Sequence, residues 1–181
     1  MNKAFFLDRD GTINVDYNFV HHPDEWTWCE GALDALRWIN NHDFKTIVVT
    51  NQSGIARERY TEGDVQNLHQ WVDEELQKKD LTIDDWYYAA HHPKYDPEEY
   101  FAPNDRKPGT GMFKKAEAKY NIDFSRSYMV GDKISDLKPA IALGITPFFI
   151  RSRHEFEQDK TWLAKHNIPI FDNIKEVVEA L

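Results

Sequence analysis

Two aspartates flank an arginine at the end of the first apolar run, Asp8-Arg9-Asp10, and Gly11 and Thr12 follow. Carboxylates two residues apart on an extended chain share a side. Held against a cation, one can attack phosphorus, and the other can hand a proton to the oxygen that leaves. Further along lie "TNQSG" from Thr50, "RKPG" from Arg106 and "GDKISD" from Gly131. The Thr50 hydroxyl and the Lys107 ammonium can hold and neutralise the oxygens of a transferring phosphoryl group. Asp8 and Asp132 can supply the one or two carboxylates through which Mg²⁺ is usually bound. Taken singly, each motif is commonplace, because Asp-x-Asp and Gly-Asp both occur often in turns. All four in this order, each after its own strand or loop, are hard to explain as turns.

The elements that must position these groups show in the spacing of apolar residues. Ala4–Leu7, Lys45–Thr50, Asp85 onward, Ser127 onward and Thr146–Ile150 are short, apolar or β-branched runs that predict strands buried on both faces. Between them, Ala32–Asn41, the stretch after Thr61, Thr110–Tyr120 and Asp136–Leu143 carry helical spacing. Thr61 and Asp64 are placed as a capping box, and Gly144 as a stop. Asn173 caps a last amphipathic segment with Ile174, Val177, Val178 and Leu181. Alternation of this kind implies an α/β fold, a Rossmann-like parallel sheet with helices on both faces, in one domain spanning residues 1–181. In such sheets ligands bind beyond the carboxyl ends of the strands, where the four motifs fall. The polar stretch Pro93–Pro108 is the one long segment without periodicity, a length often functional in compact domains.

Composition narrows the classes. The chain has 181 residues, 41% of them hydrophobic and 14% aromatic, a globular balance. A formal net charge of -9 opposes a general nucleic-acid grip but not a small anionic substrate in a locally positive site. The single cysteine, Cys29, excludes an intrachain disulfide and a Cys-rich zinc site, and it has no basic partner in sequence to make it a catalytic thiol. Trp26 and Trp28 beside it suit packing better than a ligand platform. No signal peptide or membrane span is apparent, so the expectation is a cytoplasmic, monomeric protein with no membrane or nucleic-acid partner.

Asp8-Arg9-Asp10-Gly11-Thr12, Thr50, Lys107, and Asp132 with Asp136 resemble the four motifs of the haloacid dehalogenase-like phosphatases. The resemblance runs from Lys3 to about Arg151. It implies Asp8 as nucleophile, Asp10 as general acid/base, and Thr50 and Lys107 as holders of the phosphoryl group. It also implies one Mg²⁺ on Asp8, Asp132 and the backbone carbonyl of Asp10. "DRDGTINVDYNFV", "VVTNQSGIAR", "RKPGTGMF" and "YMVGDKISD" are similar to heptose bisphosphate phosphatases, with histidinol-phosphate phosphatases as the alternative. That similarity implies a small sugar phosphate as substrate, contacted by Asp16, Tyr17, Asn18, Phe19, Asn51, Gln52, Ser53, Arg106 and Lys133. The spacing between motifs leaves no room for a separate cap domain, so Asp16–His22 and His92–Asp105 should shape the mouth. Relatives carry a zinc loop whose cysteine positions here hold Ala89, Pro103 and Asp105. Only His91 remains of that set, so no zinc is expected.

Overall fold

The computed structural model describes residues 1–96, 104–151 and 156–181. Six parallel strands form one sheet: β1 (Lys3–Leu7), β2 (Phe44–Asn51), β3 (Asp85–Ala89), β4 (Tyr128–Gly131), β5 (Thr146–Ile150) and β6 (Ile170–Phe171). Their order is β3-β2-β1-β4-β5-β6, so the direction of winding reverses between β1 and β4. Register places Leu7 beside Val48 on one side and Val130 on the other.

Alternation along β1 shows why its run is apolar throughout. Phe5 and Leu7 enter one core with Val48, Val130 and Phe148, and Ala4 and Phe6 enter the other with Ile47, Val49 and Met129. Helices α1 (Ala32–Asn41), α2 (Glu62–Gln77) and α6 (Ile174–Glu179) cover the first face. On the second lie α3 (Gly111–Tyr120), α4 (Ile134–Leu143) and α5 (Phe156–Lys165). The capping box of α2 forms as its spacing predicts. The Asp64 backbone N–H donates to Thr61 Oγ1 at 3.2 Å, and the Thr61 N–H donates to Asp64 Oδ2 at 2.8 Å. Trp26 and Trp28 pack edge to face at 5.2 Å against the first core.

The sequence reading differs from the structure in three places. The fourth helix begins at Ile134, two residues before the expected Asp136, because Asp136 folds back to accept from the Lys133 N–H. Neither α5 nor β6 was expected. Among the described residues, β1 and β2 are separated by a 3-10 turn (Pro23–Glu25) and α1, and β2 and β3 by α2, with no cap between them. Among those residues, no helix is long and apolar enough to cross a membrane.

Candidate active site

Asp8 follows directly on β1, and its N–H donates to Val130 O at 2.9 Å, extending the β1–β4 pairing past the strand. Asp132 stands one residue beyond β4. The turn into α4 then carries Asp136 back beneath Gly131. A Cβ at position 131 would lie 2.4 Å from the Asp136 carboxylate, so this close approach requires glycine. As a result oxygens of Asp8, Asp132 and Asp136 lie within 4.8 Å of one another, all three residues buried, at the point where strand order reverses.

Lys107 arrives from the segment before α3. Asn51 fixes its backbone at both ends: Asn51 Oδ1 accepts from the Lys107 N–H, and Asn51 Nδ2 donates to Lys107 O, each at 3.0 Å. The buried ammonium donates to Asp8 Oδ1 and to Val49 O, each at 2.7 Å, and pairs with Asp136 Oδ1 at 2.7 Å. Three acceptors match its three protons.

Burial opposes the charge of Lys107, but the carboxylates of Asp136 and Asp8 outweigh it and raise its pKa. Asp136 is pushed up as well, by burial and by the neighbouring Asp8 charge. Lys133 is raised despite burial, with Asp8 and Asp132 as the principal charges that face it. Three crowded buried carboxylates, with Lys107 bonded to two of them, form a hard-oxygen donor set of the kind Mg²⁺ takes. The donor set therefore fits such an ion.

Asp10 shares a recess with Asp8, Thr50, Lys107 and Asp136, but its carboxylate has donors of its own. Arg9 Nε and Nη2 donate to its two oxygens at 3.1 and 3.0 Å, Asn14 Nδ2 at 3.0 Å and Gln52 Nε2 at 3.0 Å. Burial would raise its pKa, yet the Arg9 charge and these donors win, and the carboxyl lies below the usual range. Gln52 Nε2 also donates to Thr50 Oγ1 at 2.9 Å, and Gln52 Oε1 accepts from the Tyr60 hydroxyl at 2.6 Å. Tyr60 packs so tightly on Gly54 that a Cβ there would lie 2.1 Å from its ring.

A cleft of about 190 Å³ opens beside Asp10. Of the residues expected at the substrate, Asp16, Asn18, Phe19, Asn51, Gln52, Ser53 and Lys133 line it. A narrower recess of about 30 Å³ beside it reaches Asp8, Thr50, Lys107 and Asp136. Asn18 and Phe19 have φ of 66° and 62°, a left-handed pair in which a bulky phenylalanine is strained. Phe19 lines the cleft, and the Arg59 guanidinium lies 4.4 Å from its ring centre. Tyr17 does not line the cleft and is 57% exposed. Arg106 is likewise outside the lining, and its Nη1 donates to His91 O at 3.3 Å.

Three contributors were not read from the sequence: Tyr60 in the lining, Asp136 as a direct partner of Lys107, and Arg57. The Arg57 guanidinium lies 4.6 Å from the Tyr95 ring centre and 5.6 Å from that of Phe19. Tyr95 is 41% exposed and packs against this arginine and the His92 ring. Pro97, Tyr100, Phe101 and Pro103, together with the acidic Glu98 and Glu99, lie outside the described residues. Cys29 is half-buried, and burial with the Asp132 and Asp10 charges pushes its thiol up to about 11.

Comparison with known proteins agrees with this geometry. The family described as polynucleotide kinase 3 phosphatase matches residues 3–170. A D-glycero-beta-D-manno-heptose-1,7-bisphosphate 7-phosphatase from Escherichia coli O6:H1 is 46% identical over 143 residues, 78% of this chain and 75% of that protein. The chain belongs to the heptose bisphosphate phosphatase family. It belongs equally to the broader family whose description names polynucleotide kinase 3 phosphatase. A D,D-heptose 1,7-bisphosphate phosphatase from B. bronchiseptica, solved with magnesium and phosphate, has a TM-score of 0.83 and 27% identity. That match covers 98% of this chain and 97% of the other. A haloacid dehalogenase-like hydrolase from Streptococcus pneumoniae shares the fold alone, with a TM-score of 0.65 at 14% identity over 99% of this chain and 98% of that one. Heptose bisphosphate phosphatases of this kind are haloacid dehalogenase-like enzymes, and the α/β fold with its parallel sheet is theirs.

Proposed function

We propose that the chain removes the 7-phosphate of D-glycero-D-manno-heptose 1,7-bisphosphate, through an aspartyl-phosphate on Asp8, with Mg²⁺ as cofactor. The observation that carries this reading is the meeting of Asp8, Lys107, Asp132 and Asp136 at the sheet's switch point, with the cleft beside Asp10 alongside. Mg²⁺ held by Asp8, Asp132 and the Asp10 carbonyl would neutralise charge between nucleophile and phosphoryl group when bound.

The chain's own groups account for the rest. An Asp8 oxygen attacks phosphorus as the bond to the sugar oxygen breaks. The leaving oxygen takes a proton from Asp10, and Asp10 later accepts one from the water that cleaves the acyl phosphate. In the resting site the Arg9 charge keeps Asp10 ionised. A phosphate dianion entering the recess raises its proton affinity, which is what the acid role needs. Once Asp8 carries the phosphoryl group, the Lys107 N–H that bonded Asp8 Oδ1 can donate its hydrogen bond to a phosphoryl oxygen while the ammonium stays charged. Thr50 accepts from Gln52, so its own proton is available to another.

The remote phosphate calls for a second cationic place. Arg106 is half-buried, and burial together with the Arg57 charge lowers its pKa. Arg57 Nε is buried and, among the described residues, has no hydrogen-bond partner. Two neighbouring guanidiniums suit a dianion. Arg106→Ala and Arg57→Ala should each weaken turnover of the bisphosphate by roughly 1.5–3 kcal/mol in kcat/KM, with monophosphate hydrolysis little changed. Parallel losses on both substrates would place these arginines at the reacting phosphoryl group.

Phosphate release across a panel tests the whole reading. The panel holds both anomers of the heptose bisphosphate, histidinol phosphate, simple sugar monophosphates and a 3′-phosphorylated oligonucleotide, each with and without Mg²⁺. The heptose bisphosphate should give the highest kcat/KM, and only with Mg²⁺. Preference for histidinol phosphate or the oligonucleotide would overturn the substrate.

We also expect the purified protein to hold no structural zinc. Such sites are almost always four-coordinate through cysteine or histidine. His92 Nδ1 accepts from the Lys94 N–H, and the His92 N–H donates to Asp96 Oδ2 at 2.7 Å, so hydrogen bonds brace the start of the loop. Near-stoichiometric zinc that survives dialysis, by elemental analysis, would refute this.

A further inference from the structure

We propose that His69, acting through Arg9, is a positioning residue that aims the Asp10 carboxylate at the leaving oxygen. This rests on the reading of Asp10 as general acid/base. His69 lies on the buried side of α2 with Val65, Leu68 and Val72, where an aliphatic side chain would serve the core. Its ring instead stacks on Trp86, with centroids 4.1 Å apart and planes 17° from parallel. Trp86 is itself fixed from behind, because its Nε1 donates to Asp73 Oδ1 at 2.9 Å. His69 Nε2 lies 3.3 Å from Arg9 Nη1. A guanidinium only donates, so Nε2 must accept and the ring proton sits on Nδ1. Burial and the Arg9 charge push His69 down to about 3, which keeps that lone pair available.

Arg9 is wholly buried and every arm of its fork is engaged. Nε and Nη2 hold Asp10, Nη2 also donates to Val20 O at 2.6 Å, and Nη1 meets His69. A planar fork tied at three corners cannot turn without carrying its partners along. The same side chain thus sets the direction of Asp10 and anchors the end of the segment that brings Asp16, Asn18 and Phe19 to the cleft. Without an acceptor at position 69, Nη1 would be a buried donor lacking a partner. The guanidinium would then turn to seek one.

The test compares His69→Phe, which keeps an aromatic stack on Trp86 but offers no acceptor, with His69→Gln, whose oxygen can reach the place of Nε2. Each is assayed on the best sugar phosphate of the panel and on 4-nitrophenyl phosphate, whose oxygen leaves without an acid. His69→Phe should lower kcat on the sugar phosphate roughly 10- to 100-fold, against less than about threefold on the aryl ester, with KM little moved. His69→Gln should restore most of the loss. If the phenylalanine variant does not fold, His69→Asn, too short to reach Arg9, takes its place. Equal losses on both esters, or none on either, would overturn the positioning role. Asp10→Asn is measured alongside. If it alone shows the leaving-group dependence, the His69 proposal fails while Asp10 keeps its role; if it shows none, both fall together.

Discussion

Asp8→Asn is expected to lower turnover about 10⁴-fold or more, the scale on which loss of a nucleophile costs other covalent hydrolases. The amide is nearly isosteric, so the recess keeps its shape, but its neutral oxygen cannot displace an alkoxide from phosphorus. The fold should not suffer. Asp8, Asp132 and Asp136 crowd within 4.8 Å, and the Asp8 charge helps to push Asp136 up. Removing one negative charge relieves that repulsion, while the amide oxygen can still accept from Lys107. The melting temperature should therefore equal or exceed that of the parent protein, measured at neutral pH without added metal. Phosphate release near the parent rate would rule out the aspartyl-phosphate route.

The parts of this site that lie at strand ends were legible in the sequence, because chemistry and topology there constrain the same few residues. Asp8, Thr50 and Asp132 each follow an apolar run, and a parallel sheet gathers such ends on one rim. Thr61 and Asp64 announced α2 because a capping box is a local signal. What stayed hidden depends on contacts across the chain. His69 is 60 residues from Arg9, and its place among Val65, Leu68 and Val72 reads as an ordinary helix face. Arg9 read as a charge between two acids, although it is one of the largest wholly buried side chains. Tyr60 gave no sign beyond following a glycine-containing turn. The segment α5 escaped because only Leu163 is fully buried along it, and β6 because two residues carry no period.

Lys107→Met should cost both activity and stability, and the second loss carries the sharper test. Methionine fits the space of the lysine stem but leaves Asp8 and Asp136 buried without the ammonium they share. Removing one partner of a buried ion pair typically destabilises by about 3–5 kcal/mol, since the remaining charge is neither solvated nor paired. Here two carboxylates are stranded. Asp136 already lies above its ordinary pKa through burial and the Asp8 charge, and losing Lys107 pushes it higher still. An acid raised in the folded state binds more protons there than in the unfolded chain, so stability rises as pH falls through the raised value. The deficit of Lys107→Met should therefore be largest near neutrality and shrink as pH is lowered toward the ordinary carboxylate range. Adding Asp136→Asn removes one stranded charge and should recover part of the stability at pH 7 with no recovery of turnover. Denaturant melts of both variants across that range decide the matter. A deficit that stays constant with pH, or a double variant no more stable than Lys107→Met, would mean that lost packing rather than stranded charge sets the cost.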